Sequence, residues 1–251
     1  MRWWLLLVTA CGRIGFTDVD AHLGDILGVV GHDEDGDGLI DTLDPCPYIA
    51  GDSADSDGDG VGDACDPHPQ EPIDHWTLFS PCTPDNPPPM AFDASTQLLD
   101  SIDAMNTSGH ILVPVANTRV AMGFTIVERV AALEQHQIAM GPDLLPYYFV
   151  ELDDNLGDTV AHTAVVLANQ ATGMYDFEGR VPLATDVHLG SGSIVTDFDT
   201  IGSQFTTDAG WQNERYMVSG PAAGYVGAPT LRFVFNGLDV HVEWLAVIDS
   251  N

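Results

Sequence analysis

Leu238-Asp239-Val240-His241-Val242-Glu243-Trp244-Leu245-Ala246-Val247-Ile248 is the stretch that decides the fold. In an extended chain Val240, Val242, Trp244, Ala246 and Ile248 fall on one side, and Asp239, His241 and Glu243 on the other. A period of two marks a strand that buries one face and wets the other. Upstream, Val120, Met122, Phe124 and Ile126 share a face of 119–128, and Leu231, Phe233 and Phe235 share a face of 230–236. Residues 146–153, 159–168 and 214–219 read as further strands. Short apolar runs parted by Gly, Asp, Asn and Pro clusters predict a mainly β domain over 91–251, an antiparallel β-sandwich or jelly roll. Two short helices are expected within it, at 96–103 and 131–137.

Working outward, 68–90 contains Pro69, Pro72, Pro81, Pro84, Pro87, Pro88 and Pro89. That density opposes helix and central strand alike and predicts an extended linker, which carries Cys82. Before it the composition turns acidic. Twelve acids fall between Asp33 and Asp66, and no Arg or Lys lies between Arg13 and Arg119. Over the whole chain 38 acids face seven Arg and no Lys, for a net charge of −31. Such a chain is repelled by nucleic acid and anionic headgroups. It also lacks the lysine that a P-loop or a Schiff base requires. Cations are its natural partners.

The acids are regularly placed. Loop one runs Asp33-Glu34-Asp35-Gly36-Asp37-Gly38-Leu39-Ile40-Asp41-Thr42-Leu43-Asp44, and loop two runs Asp55-Ser56-Asp57-Gly58-Asp59-Gly60-Val61-Gly62-Asp63-Ala64-Cys65-Asp66. Acids stand at positions 1, 3, 5, 9 and 12 of both, with Gly at position 6, and the loops start 22 residues apart. Calcium takes about six to eight oxygen ligands, so a short loop must curl tightly to deliver them. The expected ligands are the carboxylates of Asp33, Asp35, Asp37, Asp41 and Asp44 in loop one and of Asp55, Asp57, Asp59, Asp63 and Asp66 in loop two. The main-chain carbonyls of Leu39 and Val61 join them, with the position-9 acids binding directly or through water. Oxygen donors without His or Cys select calcium or magnesium over zinc and copper. Pro45 and Pro67 follow directly, so no helix leaves either loop, unlike an EF-hand or a dockerin.

The segment 33–67, with Asp-Pro-Cys-Pro at 44–47 and Gly-Asp-Ala-Cys-Asp at 62–66, resembles thrombospondin type 3 repeats. The resemblance implies a calcium-filled stalk with little regular secondary structure, wound around its ions and pinned by disulfides. One departure is Gly51-Asp52-Ser53-Ala54, where the family usually carries Asn and Gln. In an exported, core-poor segment of this kind Cys46 and Cys65 are the expected disulfide pair. Cys82 is then left free or paired between chains. The domain at 91–251 resembles concanavalin A-like or laminin G-like jelly rolls in strand texture, without a diagnostic motif.

At the N-terminus, Arg2, the apolar run 3–10 and Leu7-Val8-Thr9-Ala10-Cys11 resemble a bacterial lipoprotein signal. Eight apolar residues are too few to span a bilayer, which needs about 20. Residues 1–11 are therefore expected to be a signal ending in a lipidated Cys11, and 12–32 a tether. The membrane would be met only through that lipid.

Three further groups are weighed as sites. Glu151 and Asp153 alternate as paired acids do in some sandwich-fold glycoside hydrolases, but Leu156 stands where a third acid is wanted. Asp239, His241 and Glu243 read as a solvent face. Trp211, Tyr216 and Tyr225 could stack on sugar but suit core or loop anchoring better. Residues 190–193 and 208–213 read as exposed loops suited to recognition. The chain is expected to be a calcium-binding surface lipoprotein, exported and anchored at the cell envelope. Its sandwich would recognise glycans or proteins without catalysis; the alternative is a secreted polysaccharide hydrolase on the same fold.

Overall fold

The computed structural model describes residues 31–251 apart from 52–53, 89–90, 93–94, 100, 106, 130–134, 143–147, 156–161, 170–173, 183–188, 201–203, 212–213, 222–224 and 251. The expected signal, Cys11 and nearly all of the tether lie outside the described residues. Among the described residues fifteen strands follow in order: β1 Asp74–Ser80, β2 Ala91–Phe92, β3 Ser95–Gln97, β4 Ile102–Met105, β5 Ser108–Ile111, β6 Thr118–Arg129, β7 Gln135–Pro142 and β8 Tyr148–Asn155. Then come β9 His162–Asn169, β10 Met174–Pro182, β11 Gly190–Asp199, β12 Gln204–Trp211, β13 Glu214–Pro221, β14 Leu231–Asn236 and β15 Leu238–Ser250.

They form two antiparallel sheets. One runs β13-β12-β11-β6-β15-β4-β3 with β1 also paired to β15, and the other runs β10-β9-β8-β7-β14-β5-β2. The core between them takes Val120, Met122, Phe124 and Ile126 from β6 and Leu231, Phe233 and Phe235 from β14, the faces read from the sequence. Each such side chain contributes about 2 kcal/mol when withdrawn from water. The expected antiparallel sandwich is therefore present.

Four expectations need correction. No helix occurs among the described residues: 96–103 holds the end of β3, a tight turn closed by Leu98 N–H donating to the Ser101 carbonyl (2.9 Å), and the start of β4. The described part of 131–137 belongs to β7. Short apolar runs do not distinguish the two periods, and strand pairing decides. Second, the proline-rich stretch is not only linker. Asp74–Ser80 contains no proline and pairs along 245–250 of β15.

Third, the face assigned to β15 switches partway. The register slips between Val242 and Trp244 opposite Phe124 and Gly123. A bulge admits one extra residue and so reverses the alternation beyond it. Val240 and Val242 therefore enter the sandwich core with Leu245 and Val247, while Trp244, Ala246 and Ile248 bury on the opposite face. Gly123 makes this possible, because a methyl there would overlap the Trp244 indole. Fourth, 190–193 lies in β11 and 208–211 in β12, paired in register, so these are strand ends rather than loops.

That second buried face of β15 is where the acidic segment docks. Tyr48 stacks on Trp244 with ring centroids 4.5 Å apart and meets Trp76 edge-on at 6.2 Å. Cys46, Val61 and Cys65 cluster with Ile248, flanked by Tyr48, Ile49 and Trp76. Cys46 and Cys65 form the expected disulfide, with Cα atoms 5.8 Å apart. Arg119 clamps the seam, donating to Asp197 through Nε (2.7 Å) and Nη2 (2.9 Å) and to the Cys65 carbonyl through Nη1 (2.9 Å). The repeats lie on the sandwich rather than standing off it.

Candidate metal centre

The sequence places each loop's first three aspartates close together, and the fold completes the arrangement. One carboxylate oxygen from each of Asp33, Asp35 and Asp37 lies within 4.8 Å of the others, and so it is for Asp55, Asp57 and Asp59. The turn is held by the aspartates themselves. Asp33 accepts from Gly36 N–H (2.9 Å) and Gly38 N–H (3.0 Å), and Asp55 from Gly58 N–H (2.7 Å) and Gly60 N–H (3.1 Å). The glycines at position 6, Gly38 and Gly60, have φ of 98° and 97°, the left-handed region that a side chain would strain. Further along, Asp35 and Asp57 accept from position 5, and Asp37 and Asp59 from the N–H of Leu39 (2.8 Å) and Val61 (2.9 Å).

Each central aspartate keeps one oxygen out of this network. Asp35 Oδ2 and Asp57 Oδ2 are buried and have no hydrogen-bond partner. Burial, followed by the charges of Asp37, Asp44 and Asp33, pushes the Asp35 carboxyl up to about 6. Desolvation also raises Asp57. Orphaned carboxylate oxygens facing like charges, with only oxygen donors around them, fit a hard divalent cation. Asp33, Asp35 and Asp37 would hold one calcium ion and Asp55, Asp57 and Asp59 another.

The remaining expected ligands fall into two groups. The position-12 residues Asp44 and Asp66 are buried beside the loops, where each accepts an N–H two residues on, from Cys46 (2.8 Å) and His68 (2.5 Å). Burial, then the adjacent carboxyl of Asp74, pushes Asp66 up to about 7. The position-9 residues bond across their own loops. Asp41 accepts from Glu34 N–H (2.9 Å) and lies 3.1 Å from His32 Nδ1. Asp63 accepts from Ser56 N–H (2.7 Å) and Ser56 Oγ (2.6 Å), bonds that hold its carboxyl below the usual range. These two act as latches across the loop, a role spacing alone does not reveal.

Asp74 was missed by sequence reading. It opens β1, its side chain is buried, and its N–H donates to Asp59 Oδ2 (2.9 Å). Only the fold brings it to loop two, though an acid opening an apolar strand was an available signal.

The weaker candidates resolve as follows. Tyr216 and Tyr225 are in the core, and the Tyr225 hydroxyl donates to the Val115 carbonyl. Glu151 and Asp153 are both on β8, opposite Ala139 and Gln137; their side chains, like that of Trp211, lie outside the described residues. The expected solvent face of β15 is partly buried. Asp239 is only 8% exposed, and burial followed by Asp103 raises its carboxyl to about 6. Glu243 accepts from the Thr125 hydroxyl (2.5 Å). Cys82 is buried, and that burial pushes its thiol up to about 12.

Residues 18–52 and 54–69 match the family model of the thrombospondin type 3 repeat. No curated protein matches the chain in sequence. Among solved structures, the chain is similar to the exoplasmic/lumenal domain of VIP36 in its Ca2+/Man-bound form. The TM-score is 0.50 at 10% identity, over 69% of this chain and 91% of that one. Peanut lectin with a 9mer peptide gives 0.49 at 10% identity, over 70% and 97%. The CBM2 module of the evolved Dit of Lactobacillus casei BL23 phage J-1 gives 0.49 at 10% identity, over 71% and 97%. The segment that matches the repeat model thus lies ahead of a jelly roll similar in fold to the VIP36 domain.

Proposed function

We propose that the protein is a calcium-loaded, non-catalytic recognition module in which two repeat loops, each holding one calcium ion, brace a sandwich that binds surface glycans or proteins. The observation that carries the calcium reading is the pair of orphaned oxygens, Asp35 Oδ2 and Asp57 Oδ2, each at the centre of an aspartate triad. Calcium neutralises the triads and thereby fixes loops that otherwise repel themselves. No step of chemistry is asked of it.

The recognition half of the reading is supported by the fold, since VIP36 is described in a mannose-bound form. A cleft of about 340 Å³ lies where loop two leaves the sandwich, lined among others by His68, Asn117, Arg119, Asp199 and Thr206. Polar side chains beside the apolar Pro67, Ile73 and Phe198 in this lining suit a hydroxyl-rich ligand with an apolar face. Anchoring through a lipidated Cys11 would hold the module at the cell envelope; retention of a Cys11→Ser variant in the membrane fraction would contradict it.

Two measurements test the function. Calorimetry of the full chain should show calcium binding at about 10⁻⁴ to 10⁻³ M, the range of extracellular modules. Magnesium binding equally well, or no calcium heat, contradicts the loop reading. A glycan array probed with calcium and with chelator should show a calcium-dependent signal that Asp199→Ala and Thr206→Ala weaken. Turnover of any arrayed polysaccharide would overturn the non-catalytic reading.

A further inference from the structure

The repeats pack on the outer face of β15, and β11, β12 and β13 lie farther along the same sheet. Ile194, Phe198, Ala209, Tyr216 and Val218 of those strands enter the sandwich core. Alternation therefore sends the odd-numbered residues of β11 and β13, and the even-numbered ones of β12, to the outer side. Strand register sets them in rows. Val195, Asp208 and Met217 make one row across the face, and Asp197, Thr206 and Ser219 make the next.

Two cavities open along this face. The cleft of about 340 Å³ takes Asp197, Asp199 and Thr206. A second, of about 300 Å³, is lined by Ser193, Val195, Asp208 and Arg215. Their linings succeed one another on the same two strands, and from Asp199 to Ser193 the face runs for most of β11. At about 3.3 Å per residue that is about 20 Å, far longer than one sugar ring. The repeats wall both ends: Pro67 and His68 border the first cavity, Tyr48 and Ile49 the second.

The chemistry of the two ends matches. Each holds one ion pair, Arg119 with Asp197 (2.7 Å) in the first cavity and Arg215 with Asp208 in the second. Such a pair sets N–H donors beside a carboxylate acceptor with no net charge, which serves adjacent hydroxyls and favours neither sign of polymer. Between the ends the surface is apolar: Val195 is half-buried and Met217 is 63% exposed. A flexible thioether of this kind adapts to the C–H face of a ring. The net charge of −31 repels acidic chains.

We propose that the outer face of β11, β12 and β13 is one groove for an extended, neutral glycan chain, with a sugar seated in each cavity and the chain crossing Val195 and Met217 between them. The groove rests on the recognition reading and adds the form of the ligand, a chain rather than a terminal sugar.

The test is calorimetry of the full, calcium-loaded chain against neutral gluco- and mannooligosaccharides, from the single sugar to the hexasaccharide, with hyaluronan as an acidic chain. Affinity should climb about ten-fold or more from disaccharide to hexasaccharide as the second cavity fills. Asp208→Ala and Thr206→Ala, at opposite ends, should each return the hexasaccharide toward the disaccharide affinity. Met217→Ala, at an exposed position, should weaken the hexasaccharide and leave the single sugar unchanged; an unaltered melting temperature shows that contact, not fold, was lost. A single sugar bound as tightly as the hexasaccharide, or hyaluronan bound more tightly than either ladder, overturns the groove and leaves the recognition reading standing. Binding to neither ladder overturns the groove as well, and if the glycan array is also blank the glycan reading falls with it.

Discussion

In loop one the side chain at position 7 is Leu39, 37% exposed; in loop two the same position is Val61, wholly buried with Cys46, Cys65 and Ile248. Their main-chain N–H to carboxylate hydrogen bonds otherwise correspond one for one, from the Asp-to-Gly turns to the position-9 latches. The metal grammar is therefore written inside each twelve-residue loop, and attachment is written outside it. What ties this segment to the sandwich is the second buried face of β15 with Tyr48, Val61 and the disulfide. An expectation of an upright stalk bearing an independent head misses that face.

The comparison breaks most severely at Trp244. Replacing it with Ala removes the stacking partner of Tyr48 and should cost about 3–5 kcal/mol. Thermal unfolding would check the loss, and limited proteolysis should cut first within 33–66. A loss below about 1 kcal/mol would mean the repeats are not docked through this face.

The next test separates the loops. Val61→Ala should cost about 2 kcal/mol and Leu39→Ala well under half as much, because only the first opens a cavity. Position 7 offers calcium its main-chain carbonyl, so both variants should keep the full complement of calcium. Equal losses would show that the two loops are anchored alike.

The latches come third. Asp63→Ala removes the acceptor of Ser56 N–H and Ser56 Oγ and should lower the melting temperature slightly without removing an ion. If metal analysis finds an ion missing, Asp63 is a ligand after all.

The smallest effect belongs to Asp239, an acid buried beside Asp103 and outside the loop triads. Its folded carboxyl is raised from 3.8 to about 6, so ionisation opposes folding. Stability from this group is full below about pH 4 and is lost as pH rises through 6. Asp239→Asn should match the parent at pH 4 and exceed it by about 1 kcal/mol at pH 7. In the loops an Asp→Asn change should instead lower calcium-loaded stability. Denaturant titrations at both pH values would separate the two kinds of acid.

The loops were legible because their first three aspartates lie within five residues of one another and glycine marks the turn. The core faces of β6 and β14 were legible for a similar reason, since period two is a local property. The β15 switch was not, because Glu243 continues the alternation while the bulge is set by Gly123 on another strand. The run Trp244-Leu245-Ala246-Val247-Ile248, apolar at every position, was the available hint of a strand buried on both faces. Asp74 and Arg119 could not be placed from spacing: each meets its partners only across the seam.

Hydrogen exchange of the full chain, with calcium and with chelator, tests the central claim most directly. The account predicts that chelation strips protection from Gly38, Gly60, Val61 and Asp74 together, and loosens β1 along 245–250 of β15, while β6 and β14 hold. Protection that is indifferent to calcium, or loops that exchange freely in both conditions while β1 stays protected, would contradict it.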